Sequence, residues 1–175
     1  MKKLTLLFLL ISFTSFGQKS NYNTEKGFVA EGYDVVAYFG NKAIEGNKKF
    51  TTEYDGVKFK FSSKENLEIF KKSPKKYIPA YGGYCAYAIG AKAEKVSIDP
   101  ETFEIRDGKL YLFYNSWGTN TLKLWQDEGA EQLKIKADKK AIKNQVKASS
   151  QAIRERAQQT VKEVKELVGL TNVRF

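Results

Sequence analysis

Cys85 is the one thiol in a chain of 175 residues that contains no histidine. With no second cysteine it cannot close an intramolecular disulfide, so it is buried and inert, reactive, or paired between chains. It stands in Tyr81-Gly82-Gly83-Tyr84-Cys85-Ala86-Tyr87, where two glycines imply a tight backbone path to a packed or functional position. The missing histidine removes the commonest metal ligand and the commonest general base near neutral pH. Ser-His-Asp and Cys-His hydrolases are excluded by that alone. A thiol-dependent redox or enzymatic role lacks a CxxC and a resolving cysteine, although Lys92 or Lys95 could supply the positive charge a reactive thiol wants. The candidate ligand-binding set is therefore Cys85 with Tyr81, Tyr84, Tyr87, Tyr33, Asp34 and Tyr38. Cys85 is the metal candidate. One thiolate with phenolate or carboxylate oxygens is a thin donor set for copper or zinc, so the cofactor stays open, with a transition metal as one reading.

These residues need elements to position them. Val35 to Phe39, closed by Gly40-Asn41, reads as a short buried strand. Phe50 to Tyr54 and Val57 to Phe61 flank Asp55-Gly56, with Val57, Phe59 and Phe61 alternating with Lys58 and Lys60: a β-hairpin on a type I′ turn. Ser62 or Ser63 caps a helix that presents Leu67 and Phe70 and stops at Pro74. Asp99-Pro100 reads as a turn, and Thr102 to Ile105 and Leu110 to Tyr114 flank Asp107-Gly108 as a second hairpin. Trp117 to Trp125 reads as a helix. Past Ala137, Ile142, Val146, Ile153, Ala157, Val161, Val164 and Val168 recur at spacings of four and seven, with Gly169 as the stop. That is one long amphipathic helix of about 30 residues, a weak zipper on its own. The fold class is α+β: a small antiparallel sheet of two β-hairpins packed on short helices, plus the C-terminal helix.

Lys2 and Lys3, the apolar run Leu4 to Phe13, and Ser15 with Gly17 have the form of a cleaved signal peptide, with Gln18 as the first mature residue. The expected organisation is a signal peptide at 1–17, a linker at 18–26, an α+β domain at 27–138 and a basic helical extension at 139–175. The destination is periplasmic or secreted, and no transmembrane segment is expected in the mature chain. The net charge of +10 is uneven. From Lys134 to Phe175 there are eight Lys and three Arg against one Asp and three Glu, which leaves the body nearly neutral. A basic tail on an exported chain suits self-association or an anionic surface better than nucleic acid.

Several ordered segments resemble one family. They are Gly32-Tyr33-Asp34-Val35-Val36-Ala37-Tyr38-Phe39, Tyr54-Asp55-Gly56, Phe59-Lys60-Phe61-Ser62-Ser63, Asn66-Leu67, Phe70, Ser73-Pro74-Lys75-Lys76-Tyr77, Tyr81-Gly82-Gly83-Tyr84-Cys85-Ala86, Asp99-Pro100 and Asp107-Gly108-Lys109-Leu110-Tyr111-Leu112. From about Gly27 to Asp138 the chain looks like an exported YHS domain-containing protein. The resemblance implies metal handling, because related modules accompany copper-transporting ATPases and monooxygenase subunits. Those modules typically read Phe-Cys-Ser-x-x-Cys after the hairpin, two thiolates suited to a soft metal. Here Ser62 and Asn66 occupy those places. The chain also continues Lys139-Lys140-Ala141-Ile142 where members of the family commonly end. Three readings follow: a non-enzymatic binding module for a small molecule or metal near Cys85, a structural or interaction protein that uses the basic helix, and a thiol-dependent redox protein. The first is favoured, and catalysis is the less expected role.

Overall fold

Asp55 and Gly56 both take positive φ (53° and 75°), the backbone a two-residue type I′ turn requires and that Gly adopts without steric cost. In the computed structural model, which describes residues 21–167 and 169, this turn joins β3 (Asn47–Tyr54) to β4 (Val57–Phe61). The proposed signal peptide lies outside the described residues. β1 (Thr24–Glu25) and β2 (Phe28–Val29) complete a four-stranded sheet in the order β1-β2-β4-β3, with β2 parallel to β4. Val57, Phe59 and Phe61 are buried as their alternation predicts. Lys60 departs from that pattern at 9% exposure. Its stem runs between Gly32 and Gly46, where an added Cβ would lie 2.2 Å from Lys60 Cε and 2.5 Å from Lys60 Cβ respectively.

α1 (Lys64–Lys72) begins where expected: Ser63 Oγ accepts the Asn66 N–H at 3.1 Å. Leu67 and Phe70 face the core. Pro74 does not merely stop α1. It opens α2 (Pro74–Tyr77) at the first helical position, where the missing N–H costs nothing. A 3₁₀ turn at Ala80–Gly83 leads to α3 (Ala86–Lys92). β5 (Asp99–Arg106) and β6 (Lys109–Phe113) form the second expected hairpin.

The core has two parts, and β6 separates them. Leu110 and Leu112 pack with Val29, Val35, Tyr38, Phe59, Phe61, Phe70 and Cys85. Tyr111 and Phe113, on the other face of the strand, pack with Ala86, Trp125 and Leu133. A strand covered on both faces reads as a continuous apolar run. Each fully buried aromatic or leucine contributes about 2–3 kcal/mol.

Four expectations are corrected. Val35 to Phe39 is not a strand: Ala37–Gly40 is a 3₁₀ helix, because Asp34 takes the Val36 and Ala37 N–H groups and a strand ladder cannot use them. Asp99-Pro100 opens β5 rather than a turn. Trp117 to Trp125 divides into β7 (Asn115–Ser116), a Trp117-Gly118 turn, β8 (Thr119–Asn120) and α4 (Thr121–Asp127). Asn120 caps α4 through the Leu122 and Lys123 N–H groups. The long helix, α5 (Ala130–Leu167), starts seven residues before Ala137 and has 38 residues. Its first turns are part of the body core through Ala130, Leu133 and Ala137.

Candidate functional site

Asp34 is fully buried and, among the described residues, faces no cation within ion-pair distance. Its Oδ1 accepts from Val36 N (2.9 Å) and Ala37 N (3.3 Å). Its Oδ2 accepts from Ser62 N (2.8 Å), Ser62 Oγ (2.6 Å) and Asn66 Nδ2 (2.7 Å). Five donors converge on one carboxylate, which ties the Ala37–Gly40 turn to the junction of β4 and α1. A buried carboxylate is tolerable on such terms because its lone pairs are filled.

Cys85 is also fully buried. Gly82 and Gly83 approach it with φ of 68° and 85°, and a Cβ on Gly82 would lie 2.2 Å from the Asn21 carbonyl oxygen. The close backbone path expected of the Gly-Gly pair is present. Cys85 N donates to Val96 O at 3.0 Å, and its Sγ lies 3.3 Å from Thr121 Oγ1. Above the sulfur is a half-open pocket of about 230 Å³ between α3, the loop after it, β8 and α4. Its lining includes Tyr87, Lys92, Glu94, Tyr114, Thr121 and Leu124. A larger hollow of about 310 Å³ lies by the β3–β4 turn, lined by Lys26, Glu53, Lys58 and their neighbours. It contains none of the candidate residues.

The candidate residues do not form one cluster. Cys85 and Tyr87 share the pocket, and Asp34 sits in its own cage. Tyr38 is buried, donates to Pro100 O at 2.7 Å and sets its ring edge on Phe103 at 4.7 Å. Tyr33 reaches Glu101 at 3.5 Å. Tyr81 donates to Asp138 at 2.9 Å, Tyr87 to Glu128 at 2.8 Å, and Tyr84 to Tyr22 O at 3.4 Å under the Lys95 ammonium. These hydroxyls hold segments together. Burial, then the neighbouring Tyr33 and Asp99, raises the Tyr38 hydroxyl above its ordinary value. Burial followed by the Asp138 hydrogen bond raises Tyr81. Burial, then Glu101, raises Tyr33, and the Glu128 hydrogen bond leads for Tyr87. All four are held as phenols, poor metal ligands.

Residues 38–81 match the YHS domain model. This segment is a YHS domain. It runs from the Ala37–Gly40 turn through the β3–β4 hairpin, α1 and α2 to Tyr81, and ends four residues before Cys85. No curated protein and no solved structure is matched. Within the YHS segment, Ser62 and Asn66 stand where related modules carry paired cysteines. Their side chains donate to Asp34, so they present hydrogens rather than lone pairs toward the centre of the cage. That donor set does not fit a soft metal. Among the described residues, no group of three or more Cys, Asp or Glu is gathered to hold a metal ion.

Sequence reasoning missed Thr121, Tyr114, Glu94 and Leu124 as pocket residues. Thr121 was concealed inside the helix expected from Trp117. The Trp117-Gly118 turn and the Asn120 cap were the available signals, since Gly after a bulky residue with Asn two positions on marks a turn and a helix start.

Proposed function

We propose that this chain is an exported binding module without catalytic machinery of its own, which holds a small polar molecule in the pocket above Cys85. The observation that carries this reading is the lining of that pocket. A buried thiol and the Thr121 side chain lie at its floor, Tyr87 and Tyr114 at its sides, and Lys92 and Glu94 are exposed at its mouth. Such a lining offers donors, acceptors and both signs of charge to a compact ligand. Among the described residues it pairs no nucleophile with a base, because the side-chain hydrogen-bond partner of Cys85 is the Thr121 hydroxyl, and acyl or group transfer needs that pairing.

Export rests on Lys2, Lys3, the apolar run Leu4 to Phe13 and the small residues Ser15 and Gly17. Secretion into the periplasm or medium predicts that the isolated mature chain begins at Gln18, which an intact-mass measurement reads directly. Among the described residues no helix is long and apolar enough to cross a membrane.

The binding claim is tested by thermal melts of the chain with separate panels of small zwitterionic molecules, neutral polar molecules and divalent or monovalent metals. At least one polar molecule is expected to raise the melting temperature of the wild type, and to lose that effect in Leu124→Trp, which narrows the pocket. Stabilisation by metal alone that disappears in Cys85→Ser would replace the small-molecule reading with the metal one. No stabilisation by any of the three panels refutes both.

A further inference from the structure

Ile135, Ile142, Val146, Ile153, Val161 and Val164 lie on one face of α5 and are between 38% and 68% exposed. At about 100° per residue, this stripe is roughly 160° around the helix from Leu133 and Ala137, the residues buried against the body. The apolar line therefore points away from the body along the whole helix, and the tail cannot cover it by folding back on its own domain without breaking α5. Charge is sorted around the same axis. Lys143, Lys147 and Arg154 are exposed along one edge of the stripe and Arg156 along the other. Glu155 and Glu166 lie on the far face, and Glu163 stands beside Arg156 on the second edge, about 20° from it around the helix. Glu155 and Glu163 accept from Gln151 and Gln159.

We propose that this face of α5 docks on an anionic lipid surface, apolar stripe down and body up. An apolar stripe flanked on one side by Lys143, Lys147 and Arg154 matches a helix that lies in the headgroup plane. The basic edge supplies attraction to anionic lipid while the aliphatic residues enter the boundary of the acyl region. Antiparallel pairing of two copies stripe to stripe is disfavoured by the same edge, because like edges then meet and cation faces cation. The stripe is also interrupted by Lys139 and Ser150, which is tolerable at a headgroup boundary and costly in a helix seam.

The test is flotation of the full chain with phosphatidylcholine vesicles, with and without phosphatidylglycerol, at low salt. Two variants accompany the wild type: K143E/K147E/R154E, and I142S/V146S/I153S. All three chains share the same N-terminus, so differences report α5, and far-ultraviolet circular dichroism checks that the helix persists. The wild type is expected to bind phosphatidylglycerol vesicles at least about tenfold more tightly than phosphatidylcholine vesicles, with both variants losing that preference. Equal binding of wild type and charge variant to anionic vesicles overturns the proposal. So does a concentration-dependent dimer in light scattering that I142S/V146S/I153S abolishes while lipid composition has no effect.

Discussion

Asp34 is the residue with most at stake in this structure. Replacing its Oδ2 by an amide sets an N–H donor against Ser62 N, Ser62 Oγ and Asn66 Nδ2, three donors within 2.8 Å. Asp34→Asn should therefore cost about 2–4 kcal/mol of stability in urea unfolding, more than Ser62→Ala, which removes one donor and leaves the rest. An Asp34→Asn variant as stable as wild type would show that the five hydrogen bonds are incidental. Cys85 gives a second residue-scale prediction. Fully buried against Thr121, it should react with a thiol reagent roughly a hundredfold more slowly in the native chain than in the unfolded chain. Comparable rates would restore the reactive-thiol reading. The sequence singled out both residues but gave neither its neighbours. Sequence places Asp34 beside the tyrosines and reads Ser62 as a helix cap and, with Asn66, as a replacement for paired cysteines, but nothing in the spacing joins either to Asp34.

At the scale of elements, α3 and α5 are joined by a close crossing. A Cβ on Gly90 would lie 2.7 Å from the Leu133 carbonyl oxygen, and Lys140 Nζ reaches Ile89 O and Gly90 O at the C-terminal end of α3. Gly90→Ala should push the helices apart and cost about 1–3 kcal/mol, read as a lower urea midpoint. Leu133→Ala should cost about 2–4 kcal/mol through the cavity it leaves. Local chemistry made some elements legible in advance. Asp55-Gly56 and Asp107-Gly108 set their hairpins, and Ser63 with Pro74 set both ends of α1. Elements decided by distant contacts were not legible. Val35 to Phe39 has strand composition, yet the Asp34 carboxylate withdraws two of its N–H groups into a turn. Trp117 fits an apolar helix pattern, yet it is 95% exposed at the tip of a two-residue turn. The start of α5 was displaced because Ala130, Leu133 and Ala137 belong to the core pattern of the body rather than to the stripe that follows.

For the whole molecule, the tyrosine hydroxyls set the alkaline limit. Tyr33, Tyr38, Tyr81 and Tyr87 are all raised in the folded state from an ordinary value of about 10. Their contribution to stability is complete below that value. It is lost as pH rises above it, because the unfolded chain then gives up protons that the fold retains. Urea unfolding across this range should show stability falling above about pH 10, less steeply in Tyr38→Phe and Tyr81→Phe; an identical slope in those variants would assign the fall to other groups. The YHS segment supplies the hairpin and first helices, but every residue lining the pocket, from Cys85 to Leu124, lies beyond residue 81. Whether that pocket is the working site is decided most directly by native mass spectrometry of the full chain, alone and with the small polar molecules that stabilise it. The account predicts a complex of one molecule per chain in the wild type and none in Leu124→Trp. A complex that persists unchanged in Leu124→Trp, or no complex with any such molecule, would contradict it.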